Sequence, residues 1–490
     1  MYSRFIFFVF VCCFSFNAFS QYENDGKKQF DPETNKLAQR ISPVNADRVL
    51  RYKPEGDDFV IVNGRNKFNR ALYGSNTGFR LETGDVPEFA LYLPNMGGNL
   101  HFFISNKKTK KPLNDAVEIV CRYRAGSRIY EIKDPMLGNG SLVITALALS
   151  QSDGFILSVK TVNIASNIQL SWFFGGAADK RFSREGDLGV DPIDAFELKP
   201  EYCKGNKYSI RKNTFELSFG RNNQKKLIGI FPSGSKLNVT DTVTPMLNGH
   251  VRLKSKSEIL FAIKVPDNEP LTEKTLPSLY KNSESFRVHI ASRIKINTPD
   301  PYINTLGGVL ATAADAIWDG QVWLHGAIGW RMPLNGWRAA YTGDVLGWHD
   351  RARTHFNAYA ASQVKDKPVT MPHPVQDSAL NLARSLKKWG TPMYSNGYIC
   401  RNPNRNDQMH HYDMNLCYID ELLWHFNWTG DLDYARKMWP VLTSHLAWEK
   451  QNFDPDNDGL YDAYASIWAS DALYDNSGAV THSAAYNYRA

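Results

Sequence analysis

The chain has 490 residues, too long for one ordinary hydrophobic core, which predicts two or three domains. It is 43% hydrophobic, 13% aromatic and 22% charged, a globular composition that excludes a disordered or fibrous protein. The formal charge of +7 is scattered, with residues 107–111 the densest knot, so it excludes a dedicated nucleic-acid face and reads as solvated surface.

Residues 1–20 predict a signal peptide: Arg4, an apolar run over 5–16, then Asn17-Ala18-Phe19-Ser20 before Gln21. Cleavage near Ser20 implies export to the periplasm or the exterior. The run is too short to span a bilayer comfortably, and Val11 before Cys12 argues against a lipid anchor. Residues 21–57 are polar and end in a helix-like patch over 37–50. From 58 to 265 the pattern is period-two. DDFVIVNG, EFALYLP, LHFFIS, AVEIVCRYR, RIYEIKD, SLVITALAL, FILSVKTVN, IQLSWFF, KLIGIF and EILFAIKV are strand-length runs separated by Gly, Asn, Asp and Pro. Many short strands with no helices between them predict an antiparallel β-sandwich.

Residues 266–297 read as a polar linker, PDNEPLTEKTLP, followed by a bridging helix around 279–292. After Thr298-Pro299-Asp300-Pro301 the period becomes helical. The runs are INTLGGVLATAADAIWDGQVW, WHDRARTHFNAYAASQV, SALNLARSLKKW, MNLCYIDELLWHFNWTG and DLDYARKMWPVLTSHLAWEKQNF. The fold class expected is therefore multidomain β + α, an antiparallel β-sandwich followed over 298–490 by helical hairpins arranged as a toroid. About five or six helices fit there, half of what a closed ring of paired helices needs. The expectation is a partial copy of a longer protein; the alternative is a half-toroid packed against the sandwich.

Eleven of the twelve tryptophans follow residue 300. The densest stretch, WRMPLNGWRAAYTGDVLGWHDR over 330–351, sets three tryptophans among arginines and aspartates in a glycine-broken loop. Indole faces beside carboxylates and guanidinium forks suit a neutral, hydroxyl-rich ligand, with an apolar C–H face to stack and a hydroxyl rim to hydrogen-bond.

The order of a signal peptide, a β-sandwich, a linker and TPDPYIN opening helical hairpins resembles the six-hairpin, or (α/α)6-barrel, glycosidases. GDVLGWHDRA over 343–352 is similar to the acidic "ERxGWTGDA"-type loop of bacterial α-L-rhamnosidases, with its glutamate absent. DPDNDGLYDAY over 454–464 resembles the Asp-rich turn of trehalase- and glucosidase-like relatives. SIWASDALYDNSGAVTHSAAYNY over 466–488 stands where those relatives carry an "ESGxDNSP" loop with the general acid; Ala469-Ser470 replace the family's glutamate. The resemblance implies an inverting glycoside hydrolase, which needs one protonated and one ionised carboxyl about 6.5 to 9.5 Å apart.

On that reading Asp471 is the acid candidate, against a plain role as helix cap. Asp344 and Asp350 are the rival pair, Asp344 for hydroxyl binding or catalysis and Asp350 for an ion pair with Arg351. The family's general base lies on a late hairpin, which this resemblance places beyond residue 490. Trp337, Trp348 and Trp468 are stacking candidates, whereas Trp424 and Trp448, in periodic runs, read as packing. Arg338 reads as a hydroxyl clamp or a fork to Asp344; His349, Arg351, His482 and Tyr486 complete the candidate pocket.

No metal or cofactor is expected. His410-His411 lacks a third ligand at helical spacing, and Asp454-x-Asp456-x-Asp458-Gly459 imitates a calcium loop but has Ala465 at the twelfth position. It reads as a rigid turn. Of six cysteines, Cys12 and Cys13 leave with the leader; Cys121, Cys203, Cys400 and Cys417 read as buried thiols, with a Cys400–Cys417 pairing as the alternative. The partner expected is a carbohydrate. Two other classes stay open: a polysaccharide lyase using Tyr and His on uronates, and a carbohydrate-binding protein without catalysis. A phosphorylase fits export poorly.

Overall fold

The computed structural model describes residues 50–490 apart from 108, 182–195, 328–330, 366–370, 373–391, 394–395, 407–413, 455, 466–473 and 480. The leader at 1–20, the patch at 37–49 and the run SALNLARSLKKW lie outside the described residues.

Each period-two run named above forms a strand. The larger sheet contains, side by side, Asp58–Val62, Glu118–Arg124, Ser127–Lys133, Ser141–Ala148, Gly154–Val162, Glu258–Lys264, Lys225–Ile230, Thr214–Phe219 and Lys207–Arg211. The smaller runs Lys236–Val239, Leu247–Arg252, Gln169–Ala177, Met96–Ser105, Glu88–Tyr92, Arg80–Thr83 and Arg70–Tyr73. All the registered pairs within both are antiparallel. Glu118–Arg124 alternates buried and half-buried positions, as a strand with one covered face must. The covered faces meet through aromatic rings: Phe102 on Phe261 at 5.4 Å, Phe89 on Tyr130 at 5.9 Å and Trp172 on Phe261 at 5.1 Å. This is a β-sandwich. Eight strands of the two sheets among the described residues went unread because they are short or polar, as in RLET, KLNV and LNGHVR.

Gly154–Val162 is buried on both faces for most of its length. Its outer side is covered by helix α1 (Leu276–Ala291), whose Leu276, Leu279 and Tyr280 pack on Ile156, Ile230 and Ala262. Six more helices follow among the described residues: α2 (Pro301–Ala316), α3 (Tyr341–Val345), α4 (His349–Ala360), α5 (Met414–Thr429), α6 (Leu432–Phe453) and α7 (Thr481–Arg489). Asp300 starts α2 by accepting from Tyr302 N at 2.8 Å, with Pro301 in the first turn where its missing N–H costs nothing. Gly430, at φ +62°, reverses the chain between α5 and α6, and Asp431 caps α6 through Tyr434 N.

Helices and sandwich are joined by polar contacts. Arg287 Nη1 donates to Ala125 O at 2.9 Å, Thr305 Oγ1 to Gly56 O at 3.3 Å and Arg80 Nη1 to Ala327 O at 3.0 Å. The helical core gathers Trp318, Trp323, Trp348, Phe356, Tyr418 and Leu422.

The sandwich holds one buried carboxylate whose titration should be measurable. Glu88, 3% exposed, accepts from Asn99 Nδ2 at 3.0 Å and Asn114 Nδ2 at 2.8 Å, with Lys67 Nζ at 3.4 Å and His101 Nδ1 at 3.7 Å. Burial favours its protonated form, but His101, Asn99 and Lys67 outweigh it and hold the pKa at about 2. A depressed carboxylate stabilises the fold above its unfolded pKa, and that contribution is lost as pH falls toward the folded value. Glu88→Gln is therefore expected to lose about 2–3 kcal/mol at neutral pH, a deficit that fades between about pH 4 and pH 2 in urea titrations. An equal deficit at both ends would remove the electrostatic account.

Candidate functional site

The loop that opens α3 lies against α5 through three polar contacts in register. Ala340 N donates to Glu421 Oε1 at 3.1 Å, Tyr341 OH donates to Asp420 Oδ2, and Asp344 meets His425 Nδ1 with both oxygens at 2.9 Å. Asp344 Oδ1 also accepts from His349 Nδ1 at 2.7 Å. An ionised carboxylate only accepts, so in this arrangement both histidines carry their proton on Nδ1. His425 is fully buried, while the His349 side chain is 45% exposed. Asp344 thus orients an accessible imidazole from within the protein.

Glu421 and Asp420 sit side by side on a helix that is buried from Met414 through Leu422. Burial pushes the Glu421 carboxyl well above the usual range, against the backbone N–H groups of Ala340 and Tyr341 and with help from the Asp420 charge. Its Oε2 has no hydrogen-bond partner among the described residues. Asp420 instead faces a cation, with Arg489 Nε of α7 at 2.9 Å from its Oδ1. The two neighbouring carboxyls thus have different surroundings, one buried against backbone N–H groups and one beside a guanidinium. Burial, Cys417 and the Asp420 contact all raise the Tyr341 hydroxyl pKa, so it stays a donor. Further back, burial lowers His355 and His445 to about 3, and His355 Nδ1 accepts from Trp323 N at 3.2 Å.

Of the residues singled out in the sequence, Asp344 and His349 lie in this network. Tyr486 joins it by a hydrogen bond with Tyr341; burial is the main reason its pKa rises to about 12. Arg338 is exposed, at φ +63° in the turn before α3. Trp337 is half-buried with its ring 4.3 Å from His325. His482 is half-buried, and burial lowers its pKa. Asp471 and Trp468 lie outside the described residues, as do His410, His411, Tyr412 and Asp413.

Three expectations are corrected. Trp348 is 6% exposed within the helical core, with the Arg351 guanidinium 4.3 Å from its ring, so its face is taken by protein. Arg351 pairs with Asp315 at 2.8 Å rather than with Asp350, which is exposed in the first turn of α4, where a carboxylate complements the helix dipole. Trp424, read as packing, is 42% exposed beneath Arg489; Trp448 is fully buried as expected. Cys400 and Cys417 are both buried free thiols, as read from the sequence.

Asp454, Asp456 and Asp458 each place an oxygen within 4.8 Å of the others. Asp454 Oδ1 accepts from Gly459 N and Asp458 Oδ1 from Leu460 N, the contacts of a side-chain-bonded turn.

The sequence reading passed over Tyr341, Asp420, Glu421, His425 and Arg489. One signal was present: Asp420-Glu421 interrupts an otherwise apolar helical run, and charged residues are seldom buried without a partner.

A family profile described as a domain of unknown function, DUF4450, matches residues 93–284. No curated protein is a significant match to the chain. Among solved structures, a protein described as a kojibiose phosphorylase from the human microbiome aligns with 10% identity and a TM-score of 0.44, over 81% of this chain. The chain spans 60% of that protein's length. A family GH92 α-mannosidase from Bacteroides thetaiotaomicron aligns at 8% identity and a TM-score of 0.31, covering 82% of this chain and 66% of its own. An α-N-acetylgalactosaminidase from Bifidobacterium bifidum aligns at 9% identity and 0.20, covering 51% and 41%.

Proposed function

We propose that the chain is an exported glycoside hydrolase in which the segment from 298 onward belongs to an (α/α)6 toroid and the sandwich over 58–265 precedes it. One observation supports the reading: beside the aromatic loop the α3 carboxyl Asp344 is held between His425 and His349, and the α5 carboxyls Glu421 and Asp420 meet Ala340 N and Tyr341 OH. Inverting hydrolysis requires one protonated and one ionised carboxyl. In this reading Asp471 protonates the leaving oxygen. Asp344, which accepts from His425 and His349, binds hydroxyls or activates water. Trp337, Arg338 and Tyr486 hold the sugar, and Asp350 takes no part.

The test is to incubate the full chain with a panel of neutral and acidic glycans and follow the product anomer by NMR. Hydrolysis with inversion is expected, with kcat reduced at least about 100-fold in Asp471→Asn while circular dichroism is unchanged. Retention of configuration, or full activity in that variant, refutes the assignment.

A second reading, a polysaccharide lyase, is favoured by the Asp344–His349 pair alone, since a buried carboxylate orienting an exposed imidazole is how a general base is presented. Ultraviolet absorbance from an unsaturated product of uronate polymers, lost in His349→Ala, would select it over hydrolysis.

A further inference from the structure

Asp344 ties a buried histidine to an accessible one, and its two oxygens do so unequally. Oδ1 lies 2.7 Å from His349 Nδ1 and 2.9 Å from His425 Nδ1. Oδ2 meets His425 Nδ1 at 2.9 Å and no second donor among the described residues. The His425 ring is held in turn by Phe356 and Tyr434, at 5.5 and 5.3 Å between centroids. Its Nε2 is buried without a hydrogen-bond partner, a place that tolerates a lone pair better than an orphaned N–H. The His425 proton therefore sits on Nδ1, aimed at both carboxylate oxygens, and the carboxylate is pinned. His349 Nδ1 thus faces an acceptor in a set position. Its proton is drawn there, leaving the lone pair on Nε2 of a side chain that is 45% exposed.

We propose that His425 and Asp344 form a tautomer lock on His349, with His425 a positioning residue, and that the Nε2 so presented is the proton acceptor of the site. This rests on the lyase reading and adds to it the accepting atom and the buried residue that holds it ready. In the elimination, Nε2 takes the C–H proton beside the uronate carboxylate. The C–H electron pair forms the new C=C bond, the glycosidic C–O bond breaks, and the departing oxygen keeps that pair and is protonated from solvent. The imidazolium that forms keeps its Nδ1–H on Asp344. One substitution separates the lock from ordinary packing. In Asp344→Asn the side chain keeps a single acceptor oxygen. Placing it on the Oδ2 side spares buried His425 an orphaned N–H. The amide N–H is then turned on His349 Nδ1, whose proton moves to Nε2, where water accepts it.

The experiment labels histidine with 15N in the full chain and reads each imidazole by long-range proton–nitrogen correlation at alkaline pH, where the ring is neutral. His349→Gln assigns the signal, and His289 on α1, outside the network, is the internal reference. Wild type is expected to show a protonated Nδ1 and a pyridine-type Nε2 at His349, and Asp344→Asn the reverse. His425→Phe, which keeps a ring but no donor, is expected to give a mixture of tautomers. His425→Asn, whose amide N–H stands in for Nδ1–H, restores the single form. Elimination from polygalacturonate, followed by ultraviolet absorbance, should fall at least about 100-fold in Asp344→Asn, and in His425→Phe in proportion to the tautomer lost. A wild-type His349 protonated on Nε2, or an Asp344→Asn variant that keeps the wild-type pattern, overturns the lock whether or not His425→Phe folds. The locked tautomer in a chain that releases no unsaturated product sinks the lyase reading and keeps the lock; product released equally with His349 in either tautomer does the reverse.

Discussion

Gly336→Ala is expected to lose the native tertiary fold of the helical region. A Cβ at this position would lie 1.8 Å from Met414 O and 2.8 Å from Tyr418 N, so the loop before α3 touches the backbone of α5 with no room for a methyl group. Backbone atoms of a buried helix cannot swing aside as a side-chain tip does. Relief requires separating the loop from α5, and with it the Ala340, Tyr341 and Asp344 contacts. We expect a loss of about 3–5 kcal/mol, at the high end for single substitutions, read as a collapsed near-ultraviolet dichroism signal and a large drop in Tm. Gly347→Ala is the control: its φ of +70° strains any other residue, but Arg293 Nη1 at 3.7 Å is its only close neighbour. About 1 kcal/mol is expected there. Equal effects at the two positions would contradict the close-approach argument.

Asp344→Ala should rank beside it, with a different mechanism. The change leaves the buried His425 Nδ1–H without the carboxylate it meets at 2.9 Å, and removes the anchor of His349. Breaking a buried charged hydrogen-bonded group typically costs about 3–5 kcal/mol. Asp344→Asn keeps an acceptor oxygen for one histidine and should fall between Ala and wild type in urea unfolding. A loss below about 1 kcal/mol in Asp344→Ala would mean the network adds nothing to the fold.

The sandwich was readable because its strands alternate. In Glu118–Arg124 the buried positions Ile119, Cys121 and Tyr123 alternate with half-buried ones, so sequence period and burial carry largely the same information. Helices α2, α4, α5 and α6 were legible by their apolar spacing and, at α2 and α6, by a capping aspartate. The candidate site was legible in part. Asp344 and His349 lie five residues apart across the short turn between α3 and α4, whereas His425 reaches Asp344 from 81 residues downstream, a separation no local pattern encodes. Trp348 was misread for a related reason: an indole in a Gly-rich loop has the same local signature whether it stacks on a ligand or fills a core. Only the position of Arg351, drawn to Asp315, settles which face is covered.

Arg80 gives the β half a hold on the loop that precedes α3. Its Nε binds Glu82 on the same strand at 2.9 Å while Nη1 fixes Ala327 O, and its guanidinium lies 3.7 Å from the Tyr92 ring centroid. A rigid strand arginine, 1% exposed, therefore acts as a fixed reference for a segment 247 residues later. A change in the twist of the small sheet would therefore be felt at Ala327, at the head of the aromatic loop.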